Sequence, residues 1–137
     1  MNEQGFTYDE EKMMMIFTAD AKWHIRVAYS EGRVWYAARD IASMLGYKDS
    51  SKAIFRVSRE VRMLQVPQVS AHKVGCTVCK CITKESVYKF INQQRADPEV
   101  RTWIRNVVVP QAERQFADIE RKTTESVLTS IPEFKPP

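Results

Sequence analysis

Several things are scarce in this 137-residue chain, and each scarcity excludes something. No apolar run approaches the roughly 18 residues that a membrane-spanning helix needs. The N-terminus, Met1-Asn2-Glu3-Gln4, lacks a basic stretch leading into an apolar one, so neither a membrane protein nor a secreted precursor is expected. Glycine (4) and proline (6) are too few for a collagen-like chain. The 44% hydrophobic content is too high for a largely disordered one. Three cysteines make an odd number for a disulfide framework, so free thiols in a reducing cytoplasm are the expectation. Only two histidines are present, His24 and His72. There is no paired-glycine phosphate loop, no H-E-x-x-H and no G-x-S-x-G, so an enzyme is not expected and no catalytic residue is assigned.

What remains is one soluble, basic domain of 15.9 kDa with a net charge of +4. The charge is uneven. Residues 1–12 set Lys12 against Glu3, Asp9, Glu10 and Glu11, for a net −3. The rest of the chain carries +7. A basic body of this kind suits a polyanion partner.

Read along the chain, residues 1–12 form an acidic flexible arm or edge segment without periodicity. Met13 to Phe17 reads as a buried strand. In His24 to Tyr29, Ile25, Val27 and Tyr29 alternate onto one face, as in a half-buried strand. Ser30-Glu31-Gly32-Arg33 supplies a turn, and Val34 to Ala37 returns as the second strand of a hairpin. Ala38, Ile41, Ala42 and Leu45 repeat at helical spacing, with Gly46 placed for a left-handed C-terminal residue. Asp49 or Ser50 then caps a second helix with Ala53, Ile54, Val57 and Val61 on one stripe. The two make a helix-turn-helix outline. Val66–Val69 and Val74–Ile82 read as strands or a long hairpin, Pro67 marking an edge. Thr83 caps a helix that buries Val87, Phe90 and Ile91. Asp97-Pro98-Glu99 opens another, with Val100, Trp103, Ile104, Val107 and Val108 as its buried stripe. Pro110 ends or restarts that helix, and residues 110–129 form a weaker amphipathic one through Phe116, Ile119 and Leu128. Ile131 to Pro137 is a proline-rich tail. The expected fold is α+β: a small antiparallel sheet, a helix-turn-helix-like pair and C-terminal helices around one core. Its expected parts are the arm (1–12), the domain proper (13–110), a C-terminal helix (111–130) and the tail (131–137).

The second helix carries the strongest chemical signal. At about 100° per residue, Lys48, Lys52, Arg56 and Arg59 fall within an arc of roughly 80°, opposite the apolar stripe. Residues 48–62 hold five basic and two acidic side chains, a net +3. A helix that buries one face and presents Lys and Arg on the other suits a nucleic-acid groove, where cations meet phosphates and Arg reaches guanine O6 and N7. The ordinary alternative is a solvated charged face. Arg33, at the hairpin tip, is placed as a wing residue would be, or as a plain turn residue. Cys76, Cys79 and Cys81, with His72, approach zinc-ligand spacing but lack a second pair, so no metal or other cofactor is expected. Trp35 and Trp103 read as core, and Trp23 is undecided.

Two segments resemble the Bro-N domain, the N-terminal module of phage antirepressors and of baculovirus repeated-ORF proteins. Val34-Trp35-Tyr36-Ala37-Ala38-Arg39-Asp40-Ile41-Ala42 through Leu45-Gly46-Tyr47-Lys48, followed by Ser51-Lys52-Ala53-Ile54, is similar to its first signature. Ile82-Thr83-Lys84-Glu85-Ser86-Val87-Tyr88, followed by Trp103-Ile104 and Val107-Val108-Val109-Pro110, is similar to its second, with Val87 in place of the family's glycine. The resemblance implies a compact α+β module that binds double-stranded DNA and acts in transcriptional regulation of the lytic–lysogenic choice of a phage or prophage. Arg33, Lys48, Lys52, Arg56 and Arg59 are the expected contacts. The alternative outcome is a protein that sequesters a phage repressor without touching DNA. Within the motif Asp40, Leu45, Gly46 and Tyr47 read as structural: Asp40 capping or tying a backbone, Gly46 turning, Tyr47 packed with its hydroxyl satisfied. The chain after Pro110 is too short for the family's usual second domain, which suggests an excised module or a small stand-alone binder. The 110–129 helix, net −1, is the candidate surface for the sequestering alternative: it suits a partner such as a repressor, a second copy of the chain, or simple packing on its own core.

Overall fold

The computed structural model describes residues 3–20, 22–47, 50–58, 60–69, 75–93 and 96–129; the side chains of 50, 51, 57, 119, 120 and 122–129 lie outside that description. Six strands form one antiparallel sheet: β1 (Gln4–Asp9), β2 (Met14–Ala19), β3 (Trp23–Ser30), β4 (Arg33–Ala37), β5 (Val61–Pro67) and β6 (Cys76–Ile82), in the order β1-β2-β3-β4-β6-β5. The helices are α1 (Ala38–Met44), α2 (Ser50–Val57), α3 (Lys84–Ile91), α4 (Pro98–Trp103) and α5 (Val109–Thr129), with a π turn at 104–108 joining the last two. This is the expected α+β architecture. Of the two alternatives for the acidic N-terminal segment, residues 4–9 form an edge strand paired along β2.

Local chemistry explains the junctions. The β3–β4 hairpin closes on Glu31 (φ 52°) and Gly32 (φ 74°). Positive φ at both central positions gives a turn whose twist matches that of the strands it joins. Strand β4 passes directly into α1, which ends at Gly46 with φ 82°. There the Gly46 N–H donates to the Ser43 carbonyl and the Tyr47 N–H to the Ala42 carbonyl, a Schellman ending that turns the chain toward α2. Thr83 Oγ1 accepts from the Ser86 N–H at 3.3 Å to start α3, and Asp97 accepts from the Glu99 N–H at 2.8 Å to start α4.

The main core lies between the sheet and the helices, built from Met15, Phe17, Ile25, Val27, Tyr36, Ile41, Phe90, Trp103 and Phe116, among others. The helical stripe of Val87, Phe90 and Ile91 is fully buried there. A second, smaller cluster (Ala28, Trp35, Val66 and Cys81) occupies the other face, where the β5–β6 hairpin folds across β3. Strand β3 is therefore covered on both faces, rather than the one expected from its alternation. Tyr47 packs edge-on against Phe90 and its hydroxyl donates to Gln93.

Two expected positions are corrected. Val61 does not continue the α2 stripe: the helix ends at Val57, and Val61 opens β5, 42% exposed. Val107 is 37% exposed rather than buried. The cause is the π turn, in which the Val109 N–H reaches back five residues to the Ile104 carbonyl. The extra residue rotates Val107 outward and Val109 inward. It also widens the helix just before Pro110, whose ring has no N–H and would crowd a regular turn.

Candidate nucleic-acid interface

Helices α1 and α2 pack against each other, as the helix-turn-helix outline expects. On α2, Ala53 and Ile54 are buried at 5% exposure each, while Lys52, Phe55 and Arg56 face solvent. The helix contains no acidic residue, and Arg56 lies in its last turn. Of the four side chains expected to share the basic stripe, the structure brings Lys52 and Arg56 together on one exposed face. Lys48 and Arg59 lie outside the described residues, as does His72.

Two further cations near this region, Arg33 and Arg62, form ion pairs. Arg33, the expected wing residue, opens β4 and pairs with Glu60 at 2.8 Å. That hydrogen bond raises the Arg33 guanidinium and lowers the Glu60 carboxyl from their ordinary values. Arg62, on β5, pairs with Glu31 at 2.8 Å. Both guanidinium carbons lie 5.0 Å from the ring centroid of Trp35. Trp35 itself is buried and donates its indole N–H to the Ser30 carbonyl. The hairpin tip is thus a charge-neutral lid of two ion pairs over a tryptophan.

A second cationic locus escaped the sequence reading. Arg26, on β3, is 8% exposed, and its Nε and Nη2 atoms donate to the two oxygens of Asp40 on α1 at 2.8 and 2.9 Å. The Arg26 backbone N–H donates to the same carboxylate at 2.9 Å, and His24 Nε2 lies 3.3 Å from it. Strand β4 pairs with β3 only from Val27 onward, so the Asp40 carboxylate takes over the ladder where β4 turns into α1. Of the two roles expected for Asp40, capping or tying a backbone, it takes the second. Burial pushes its carboxyl up, but the bonds from His24 and Arg26 outweigh this and hold it below the usual carboxylate value. Beside this knot a cleft of about 470 Å³ is lined by Lys22, Trp23, His24, Arg26, Arg39, Asp40, Ser43, Cys79 and neighbours. Period-two alternation hid Arg26, because it assigned that face of β3 to solvent. A clue for Arg39 existed only in its place on α1, one residue before Asp40.

Cys79 and Cys81 point to the same side of β6, their sulfurs 4.0 Å apart. The Cys81 contact lowers the Cys79 thiol, against burial and with help from Arg26, while the Cys81 thiol is pushed up by that contact and by burial. Among the described residues no three His, Cys, Asp or Glu side chains gather as metal ligands. No helix of the described residues is long and apolar enough to cross a membrane. On α5, Phe116 is buried, stacked on Tyr29 at 5.1 Å and edge-on to Tyr8, so the start of that helix packs on the domain's own core. Ile119 and Leu128 have side chains outside the described set.

The model of the BRO family, N-terminal domain (Bro-N), matches residues 24–110. That stretch runs from the first residue of the Asp40 knot to the proline after the π turn. No curated protein and no solved structure matches the chain.

Proposed function

The chain belongs to the Bro-N family, and from that premise we propose that it is a phage or prophage antirepressor-type regulator that binds double-stranded DNA through the exposed face of α2. Bro-N domains are associated with phage antirepressors and DNA-binding regulators. The role is transcriptional control of the lytic–lysogenic choice in the cytoplasm of a bacterial host, by binding rather than by catalysis. One observation carries this reading: α2 buries Ala53 and Ile54 and carries Lys52 and Arg56 on its exposed face, and the helix contains no acidic residue. Lys48 and Arg59, next to its ends in sequence, extend the same charge. Arg33 joins only where a phosphate displaces Glu60 from it. The mechanism is phosphate neutralisation with limited base reading, because the helix is only two turns long.

The test is a salt-titrated mobility-shift assay on random and phage-operator duplexes. Log K is expected to fall with log salt at a slope of about −4 if all four cations of the 48–59 segment meet phosphates, and about −2 from Lys52 and Arg56 alone. Absence of duplex binding at low salt contradicts the proposal.

A second reading, sequestration of a phage repressor without DNA, is favoured by a different surface. Met63 and Val78 are 57% and 54% exposed, diagonal neighbours on the outer face of the β5–β6 hairpin, whose β5 is a sheet edge. Adding a repressor to the same assay separates the two, since sequestration restores free operator with no shift by this protein alone. Self-association through α5 is checked by sedimentation at several concentrations.

A further inference from the structure

Phe55 takes no part in the core. It sits on α2, 87% exposed, the most exposed large apolar side chain among the described residues. Isolated exposed apolar residues are common and ordinarily need no explanation. This one differs in its setting. At about 100° per residue, Lys52, Phe55 and Arg56 occupy a single arc of about 100°, directly opposite Ala53 and Ile54. Phe55 lies one turn from Lys52 and next to Arg56, so an aromatic ring stands among the exposed cations of a helix without acids.

We propose that Phe55 is an apolar wedge that enters duplex DNA between base pairs, while Lys52 and Arg56 seat the flanking phosphates. The proposal rests on the DNA-binding reading above and adds its mode. Charge complementarity selects the occupant. A protein patch matching this face would need an apolar pocket rimmed by acids, whereas duplex DNA offers both parts in every repeat: phosphates outside, and flat apolar base faces inside. Insertion of an apolar side chain between base steps partially unstacks them and bends the duplex by roughly 20–90°. Pyrimidine–purine steps such as TA yield most easily. The ring is already at the surface, so no rearrangement of the domain's core is required for it to reach a base step.

The test uses the full chain and duplexes of about 30 base pairs, each with a 2-aminopurine beside one TA step and a donor–acceptor dye pair on its ends. The variants are Phe55→Ala, Phe55→Leu and Lys52→Ala/Arg56→Ala, with thermal melts confirming that each folds. The wild type should raise 2-aminopurine fluorescence and bring the duplex ends closer. Phe55→Ala should lose both signals and bind about tenfold more weakly, with the salt slope of the wild type. Phe55→Leu should recover most of the unstacking, since a leucine also serves as a wedge. Lys52→Ala/Arg56→Ala should instead flatten the salt slope. If Phe55→Ala binds and bends DNA as the wild type does, the proposal is overturned. A Phe55-dependent preference for single strands over duplex overturns it too, as does a Phe55→Ala defect confined to protein–protein association. If the wild type binds duplex with the expected slope but unstacks nothing, the wedge fails and the DNA-binding reading stands. If it binds no duplex at all, both fail.

Discussion

Arg26 of β3 lies 26 residues before Lys52 and 30 before Arg56 of α2, and the two regions serve opposite ends. Arg26 is buried, its guanidinium held by both oxygens of Asp40, and that pair fastens α1 to the strand that β4 leaves behind. Lys52 and Arg56 stand in solvent on the far side of a helix whose inner face is closed by Ala53 and Ile54. Arg33 and Arg62 fall between these extremes: exposed in part, but paired with Glu60 and Glu31 over Trp35. A net charge of +4 counts all of these alike. Only position separates a cation buried in the fold from one on an exposed helix face.

The largest effect should come from the buried member of the comparison. Asp40→Ala leaves the buried Arg26 without its counter-ion and should lower stability by about 3–5 kcal/mol in denaturant titrations. An Arg26→Met/Asp40→Leu double variant should recover most of that loss, because the two desolvated charges disappear together. A single-variant loss below about 1 kcal/mol contradicts the view that this pair organises the strand–helix junction. The pH dependence follows from the same carboxylate. Its folded value lies below its unfolded one, so its stabilisation is complete above the ordinary Asp value and is lost as pH falls through the lower folded value. Asp40→Asn should remove that part of the acid sensitivity, as melts across acidic pH will show.

Next in size is the exposed member. Lys52→Glu/Arg56→Glu should leave the melting temperature close to that of the wild type and weaken duplex binding about 100-fold at moderate salt. A variant that unfolds instead would place these side chains on the wrong side of the comparison. Between the two regions lies Gly46, whose φ of 82° ends α1 and aims α2. Gly46→Ala meets no atom within 4 Å but forces a strained backbone, and should cost about 1 kcal/mol with a smaller loss of binding. The smallest effect concerns Tyr36, fully buried with no hydrogen-bond partner for its hydroxyl among the described residues. Burial raises that phenol far above its ordinary value. Tyr36→Phe should be neutral or stabilising by up to about 1 kcal/mol, since an unmade buried hydrogen bond is removed with the hydroxyl.

Much of this fold was legible where local chemistry decides it. Glu31-Gly32 marked the hairpin turn, Gly46 the end of α1, Thr83 and Asp97 the starts of α3 and α4, and 3.6-residue spacing the buried stripe of α3. What could not be read depends on neighbours distant in sequence. Arg26 looked solvent-facing because alternation treats a strand as covered on one side, and nothing local announces that β5–β6 will fold across the other. Val107 was misplaced because a single π turn breaks the helical period without any signal beyond Pro110. Val61 followed the stripe in register, yet the chain left the helix four residues earlier. For the interface, the basic face of α2 was visible in the spacing of Lys52 and Arg56. Its Phe55 was equally visible off the Ala53–Ile54 stripe, but its exposure became informative only once the helix was seen to end at Val57.

On the proposed function, the α2 cations, and not the paired arginines of the hairpin tip, meet DNA phosphates. The direct measurement is the dependence of log K on log salt for the wild type, Lys52→Ala/Arg56→Ala and Arg33→Ala/Arg62→Ala on the same duplex. The expected slope is shallower by about 1.8 for the α2 variant and unchanged for the hairpin variant. The reverse pattern, or an α2 variant that keeps the full slope, contradicts it.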